Sequence, residues 1–308
     1  MQKADVFTRL KPPQPGDLPN AGRRFLAEGD SWFTLGTLNL AQGTNLLIEL
    51  KFKQHNAIVS WAYPGDTLRR MVDGINDFDF DRALWNRSGG NFASFWEGII
   101  VSAGGNDLIE AAEAPPVKNG QTVPVDRRLF LTATEAAALP GPPGPLRRIS
   151  EQGWSMLTEH LYANFKVLLE RKDNGPSARS PLFLHTYAMP AARPSGVGPT
   201  SRGWLFAAME AYGIAPADMQ PICTELFTRL REFLLSLDND SGKPRSLSKV
   251  HVFDSAGLAD IVPATPGAPG VSGDWVNEIH LTAGGYRKMG PPFGRFIDDV
   301  VDRYFGAL

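Results

Sequence analysis

Five short segments are apolar on both faces, and each runs into Gly, Pro, Ser, Asn or Asp: Arg24–Ala27, Ala57–Trp61, Gly98–Ala103, Leu182–Tyr187 and Lys249–Phe253. A strand covered by helices on both sides of a parallel sheet reads this way, whereas a strand with one wet face alternates. Helical patterns lie between them. Trp154–Leu169 repeats Met156, Leu157, Leu161, Phe165, Leu168 and Leu169 at three-to-four spacing, and Ile222–Leu237 and Phe293–Phe305 do the same. Leu35–Leu50 is a further helical pattern, weakened by Gly43. Strands that alternate with helices predict an α/β chain with five parallel strands, doubly wound and covered on both faces.

At 308 residues the chain can bury a full core. Without an internal repeat or a large shift in composition, residues 1–308 are expected to form a single domain. Two Pro/Gly-rich stretches fit the plan poorly, 114–149 (with APPVKNG and ALPGPPGPL) and 190–218 (opening PAARPSGVGPTSRG). They read as insertions on the strand-to-helix side, either walls of a pocket or surface loops without function. The formal net charge of −2 argues against a nucleic-acid partner. Cys223 is the sole cysteine, which excludes an intrachain disulfide. The N-terminus has no apolar run of a secretory signal, and no segment approaches the roughly 18 apolar residues of a membrane span. A cytoplasmic protein with no membrane span is therefore the expectation.

Three strands end in chemically loaded loops: Gly29-Asp30-Ser31, then Gly65-Asp66-Thr67, then Gly104-Gly105-Asn106-Asp107. In a parallel sheet these loops gather at the carboxyl edge, where α/β proteins hold ligands. Far along the chain, Trp275-Val276-Asn277-Glu278-Ile279-His280 brings a histidine to the start of the last helix. Each element alone is an ordinary turn or a packed histidine, as His55, His160, His185 and His251 are expected to be. Together they are what acyl transfer needs. A serine hydroxyl becomes a nucleophile when a base takes its proton. The oxyanion then needs preorganised donors, which Ser31 N–H, Gly65 N–H and the Asn106 amide would supply. Trp32 and Trp275 flank the proposed nucleophile and base and are candidates to line the substrate pocket. Asp30 is expected to hold its loop by local backbone hydrogen bonds.

In this order Ser31, Gly65, Asn106 and His280 resemble the four signature residues of the SGNH hydrolases, the GDSL-type esterases and lipases. The resemblance spans the chain as a scaffold, although its motifs are short and PGDTL is the weaker glycine block. It implies a flavodoxin-like three-layer α/β/α sandwich and a Ser–His pair usually completed by Asp. It also implies no metal and no organic cofactor. Where the family carries that aspartate, three residues before the histidine, this chain has Asn277. Three resolutions are open: the Asn277 amide oxygen orients the ring, Asp274 reaches it, or a backbone carbonyl serves a Ser–His dyad. The expected function is a serine esterase acting on a small-molecule ester. The alternatives are a catalytically impaired binding module on the same scaffold and a metallophosphoesterase, which lacks the Asp-x-His or Gly-Asn-His ligands such a site requires. No Gly-x-Ser-x-Gly elbow of an α/β-hydrolase is present.

Overall fold

A computed structural model describes residues 1–14, 17–34, 43–85, 94–198 and 201–307. Through it runs one parallel sheet in the order Val250–Phe253, Leu182–His185, Gly98–Ser102, Arg24–Gly29, Ala57–Ser60, Asp5–Phe7. The register sets Ala27 between Ile100 and Ser60. The five predicted strands are all present, with one end of each shifted by one or two residues. The sheet nevertheless has six strands rather than five. The additional one, Asp5–Phe7, pairs in parallel with Ala57–Val59, and only Phe7 of it is buried. An edge strand of three residues needs no apolar run on both faces, so nothing in its sequence announces it.

Leaving that edge strand aside, the order is 2-1-3-4-5 in chain sequence. The connections leave Arg24–Gly29 to one side and return to its other side at Gly98–Ser102. A crevice opens at the carboxyl ends of such a pair of strands, because their loops diverge to opposite faces. Ser31 follows one of these strands and Asn106 the other.

The long helices extend beyond their apolar periods. Glu151–Asp173 begins where the Ser150 hydroxyl accepts the Gly153 N–H at 3.0 Å. Pro216–Ser236 starts on a proline, whose missing N–H costs nothing in the first turn. Ala283–Phe305 starts ten residues before the predicted 293, capped by Thr282, and carries Pro291 and Pro292 inside it. Its opening GGYRKMGPP has poor helix formers, so local propensity hides nearly three turns that tertiary packing keeps. Of the pattern over 35–50, residues 35–42 lie outside the described residues, and Leu46–Glu49 is helical behind an Asn45 cap. The buried apolar side chains form one continuous cluster from Phe7 to Val301.

The 114–149 stretch is folded onto this body. Leu129, Phe130 and Leu131 are buried, and Ala133–Ala138 is held by a reciprocal Thr132–Glu135 capping box. The buried Arg128 guanidinium donates to Val123 O at 3.0 Å and Phe130 O at 2.7 Å, and it pairs with Glu135. One side of the stretch, through Asp126 and Arg127, borders a polar groove of about 560 Å³ that also meets Thr67, Asp107 and His160. No helix among the described residues is long and apolar enough to cross a membrane.

Candidate active site

Ser31 opens a single helical turn, Ser31–Thr34, directly beyond the Arg24–Gly29 strand. Its Oγ lies 2.6 Å from His280 Nε2, and both residues are buried. The loop that presents the serine is fixed by Asp30. One oxygen of that carboxylate accepts the Trp32 N–H at 3.0 Å and the Ser102 hydroxyl at 2.8 Å. The other accepts the Tyr187 hydroxyl at 2.7 Å. Burial pushes the Asp30 pKa up to about 6, against the pull of these three hydrogen bonds.

His280 meets Asn277 on its other side. Asn277 Oδ1 is 3.0 Å from His280 Nδ1 and accepts the backbone N–H of His280 at 2.9 Å and of Ile279 at 3.2 Å. Two backbone donors converge on one amide atom, so that atom must be the oxygen; a flipped NH2 would face two N–H groups. The ring nitrogen facing the same oxygen must then carry hydrogen. Nε2 is left with its lone pair toward Ser31. Burial holds the His280 pKa down to about 3.

Asp274 lies elsewhere in the network. Its Oδ2 accepts the Val262 N–H at 2.7 Å and the Lys288 ammonium at 2.6 Å, and its carbonyl accepts the Thr282 N–H that opens the last helix. Glu278 turns from the ring to the 190–218 stretch. Its carboxylate accepts the Phe206 N–H at 2.8 Å, the Arg193 N–H at 3.4 Å and the Trp204 N–H. Desolvation outweighs these donors and pushes Glu278 up to about 7. In return the fully buried Arg193 guanidinium donates to the carbonyls of Asn277, Gly270 and Trp275. Gly203 makes the approach possible: at φ +80° it sits where a Cβ would come within 2.6 Å of the Glu278 carboxylate. The clasp seats the Trp204 ring edge-on to His280, centroids 5.5 Å apart.

On the opposite side, Asn106 stands in the first turn of Gly105–Glu113 and donates through Nδ2 to Asp66 O at 3.0 Å. An amide NH2 carries two donors, so this contact orients Asn106 and uses one of them. The next residue repeats the link, as Asp107 accepts the Leu68 N–H at 3.0 Å. Gly65, at φ +81°, makes the turn immediately before Asp66, and this left-handed backbone favours glycine there. Ser31 and Asn106 line one small cavity of about 20 Å³, together with Trp32, Trp275, Tyr187 and Ile279. The two tryptophans are buried and meet edge to face with centroids 6.4 Å apart.

Four contributors escape a reading of the sequence. Tyr187, non-glycine at φ +60°, aims its hydroxyl at Asp30 and accepts the Gly105 N–H at 3.2 Å, joining the Ser31 loop to the Asn106 helix. Ser102 and His185 extend that network, with His185 Nε2 3.0 Å from Ser102 Oγ. Trp204 lies in a stretch that reads only as an insertion. Position was the available signal for Tyr187, which follows a strand at the carboxyl edge.

No family model and no curated protein matches this chain. Among solved structures it is similar to the extracellular lipase of Streptomyces rimosus, with 13% identity over 88% of this chain and 98% of that one, TM-score 0.48. It is also similar to phospholipase A1 of Streptomyces albidoflavus NA297, at 13% identity over 89% and 98%, TM-score 0.44. The aryl esterase of M. smegmatis aligns at 12% identity over 87% and 95%, TM-score 0.39. By its own strand order the chain has an α/β fold built on a central parallel sheet flanked by helices.

Proposed function

We propose that the protein is a serine hydrolase of carboxylic esters, working through an acyl-enzyme on Ser31. The observation that carries this reading is the chain of contacts Ser31 Oγ, His280 Nε2, His280 Nδ1, Asn277 Oδ1, at 2.6 and 3.0 Å. As Ser31 Oγ attacks the ester carbonyl carbon, its proton passes to Nε2 and the carbonyl oxygen becomes an oxyanion. Ser31 N–H, Gly65 N–H and the second hydrogen of Asn106 Nδ2 are the proposed donors to it. The imidazolium then gives its proton to the departing alkoxide. A water molecule, deprotonated by the same nitrogen, releases the acid and restores Ser31.

Asn277 is a positioning residue in this scheme. Replacing the triad aspartate of a serine protease by Asn costs about 10,000-fold, chiefly because the wrong ring nitrogen keeps the hydrogen. The two backbone donors on Asn277 Oδ1 remove that failure. A neutral amide still stabilises the imidazolium less than a carboxylate does, so a modest turnover accompanies a correctly oriented base.

The space beside Ser31, about 20 Å³, admits a group about the size of one water. Short-acyl esters are therefore the proposed substrates, with Trp32 and Trp275 as the apolar wall. The test is hydrolysis of p-nitrophenyl acetate, butyrate and octanoate with Ser31→Ala as blank, alongside labelling by a fluorophosphonate. Acetate turnover and labelling that both vanish in Ser31→Ala support the proposal. An unlabelled, folded wild-type protein would sink it in favour of a ligand-binding module.

A further inference from the structure

Behind the serine loop, Glu28, Asp66 and Asp77 each offer a carboxylate oxygen such that all three lie within 4.8 Å of one another. Glu28 is fully buried and Asp77 is 3% exposed, while Asp66 is half-buried and opens the cluster toward solvent. The two buried carboxylates lie within hydrogen-bonding reach of each other, and each draws its donor on one oxygen. Glu28 Oε1 accepts the Gly29 N–H at 2.8 Å, and Asp77 Oδ1 accepts the Arg9 guanidinium at 3.1 Å. Glu28 Oε2 and Asp77 Oδ2 are buried without a donor.

Buried carboxylate oxygens without a donor require either a shared proton or a cation. A proton serves one pair and leaves the third carboxylate beside it. The charges acting on the cluster are three carboxylates and the guanidiniums of Arg9 and Arg70, a net of −1, which a bound cation offsets. An all-oxygen donor set selects a hard cation, and oxygens spaced up to 4.8 Å suit Ca²⁺, whose Ca–O distances are about 2.3–2.6 Å. Mg²⁺, at about 2.0–2.1 Å, draws its ligands closer. Water completes the sphere from the Asp66 side.

We infer that Glu28, Asp66 and Asp77 form a structural Ca²⁺ site. The ion would join three pieces of chain: the end of the Arg24–Gly29 strand, the turn at Gly65-Asp66, and the start of the Phe78–Leu84 helix. Asp66 is also the residue whose carbonyl orients Asn106, so the site braces the loop that carries the proposed oxyanion donors. Binding of the ion does not depend on the proposed esterase chemistry, and its readout is separate from activity.

The experiment uses the full chain after chelator treatment. Trp61 lies under the Arg9 guanidinium, 5.7 Å from its ring centre, and serves as the antenna for Tb³⁺ luminescence. A saturable one-to-one Tb³⁺ signal that Ca²⁺ displaces, with a Ca²⁺-dependent rise in Tm, is expected. Asp77→Asn and Glu28→Gln should abolish both, and Asp66→Asn should weaken Ca²⁺ at least tenfold. If the two buried variants fail to fold, the half-exposed Asp66→Asn carries the comparison. A wild-type protein with neither Tb³⁺ signal nor Ca²⁺-dependent Tm overturns the site in favour of a shared proton, as does affinity unchanged in Asp66→Asn.

Discussion

The side-chain oxygen of Asn277 receives the His280 ring and the His280 backbone N–H together, at 3.0 and 2.9 Å. One acceptor thus fixes where the histidine starts and which of its nitrogens carries hydrogen. Asn277→Asp keeps all three hydrogen bonds and adds a negative charge beside a ring whose pKa burial has lowered to about 3. The charge favours the imidazolium, so the His280 pKa should rise. With a stronger base, kcat on p-nitrophenyl acetate should increase about tenfold or more. The pH profile separates this from a packing change. Wild-type kcat/KM should stay flat from pH 8 to about 5, because the base remains unprotonated above its low pKa. Asn277→Asp should acquire an acid limb at higher pH.

Asp274→Asn decides between two ways of orienting the ring. Its carboxylate is committed to Val262 N–H and Lys288, well apart from the His280 contacts. Turnover of the variant should stay within about twofold of wild type, with about 1 kcal/mol of stability lost with the charge-assisted bond. A hundredfold loss of kcat with normal Tm would return the orienting role to Asp274.

Tyr187→Phe removes the hydroxyl shared by Asp30 and Gly105 without changing the ring packed against Trp32. A buried carboxylate loses a donor, which should cost about 1–3 kcal/mol in denaturant unfolding. The loss also uncouples the Ser31 loop from the Asn106 helix. A fall in kcat larger than any change in KM is expected, and an unaltered kcat would count against the coupling.

Glu278 gives a stability signature of defined sign. Its folded pKa of about 7 stands above the ordinary value of 4.5, so the folded state holds its proton more tightly than the unfolded chain. The stability this contributes is present below pH 4.5 and is lost as pH rises through 7. Relative to Glu278→Gln, the wild-type protein should therefore lose on the order of 3 kcal/mol between pH 4.5 and 8. Urea unfolding of both proteins across that range measures it, and parallel curves would refute it.

The five central strands were legible in the chain itself, as were the turns that carry Ser31 and Asn106. Two-sided burial forces a continuous apolar run, and a strand of a parallel sheet must end in a turn at the carboxyl edge, which is how Ser31 and Asn106 reveal their place. Local rules do not reach contacts between residues far apart. The edge strand Asp5–Phe7 exists because Ala57–Val59 offers it a ladder. Trp204 meets His280 because Glu278 and Arg193 clasp two loops about 75 residues apart, through backbone groups that any sequence would carry. Sequence also left Asn277, Asp274 and a backbone carbonyl open as partners of His280. Only the folded loop aims two backbone N–H groups at one amide oxygen, and that convergence, a property of the backbone path, sets the hydrogen on Nδ1.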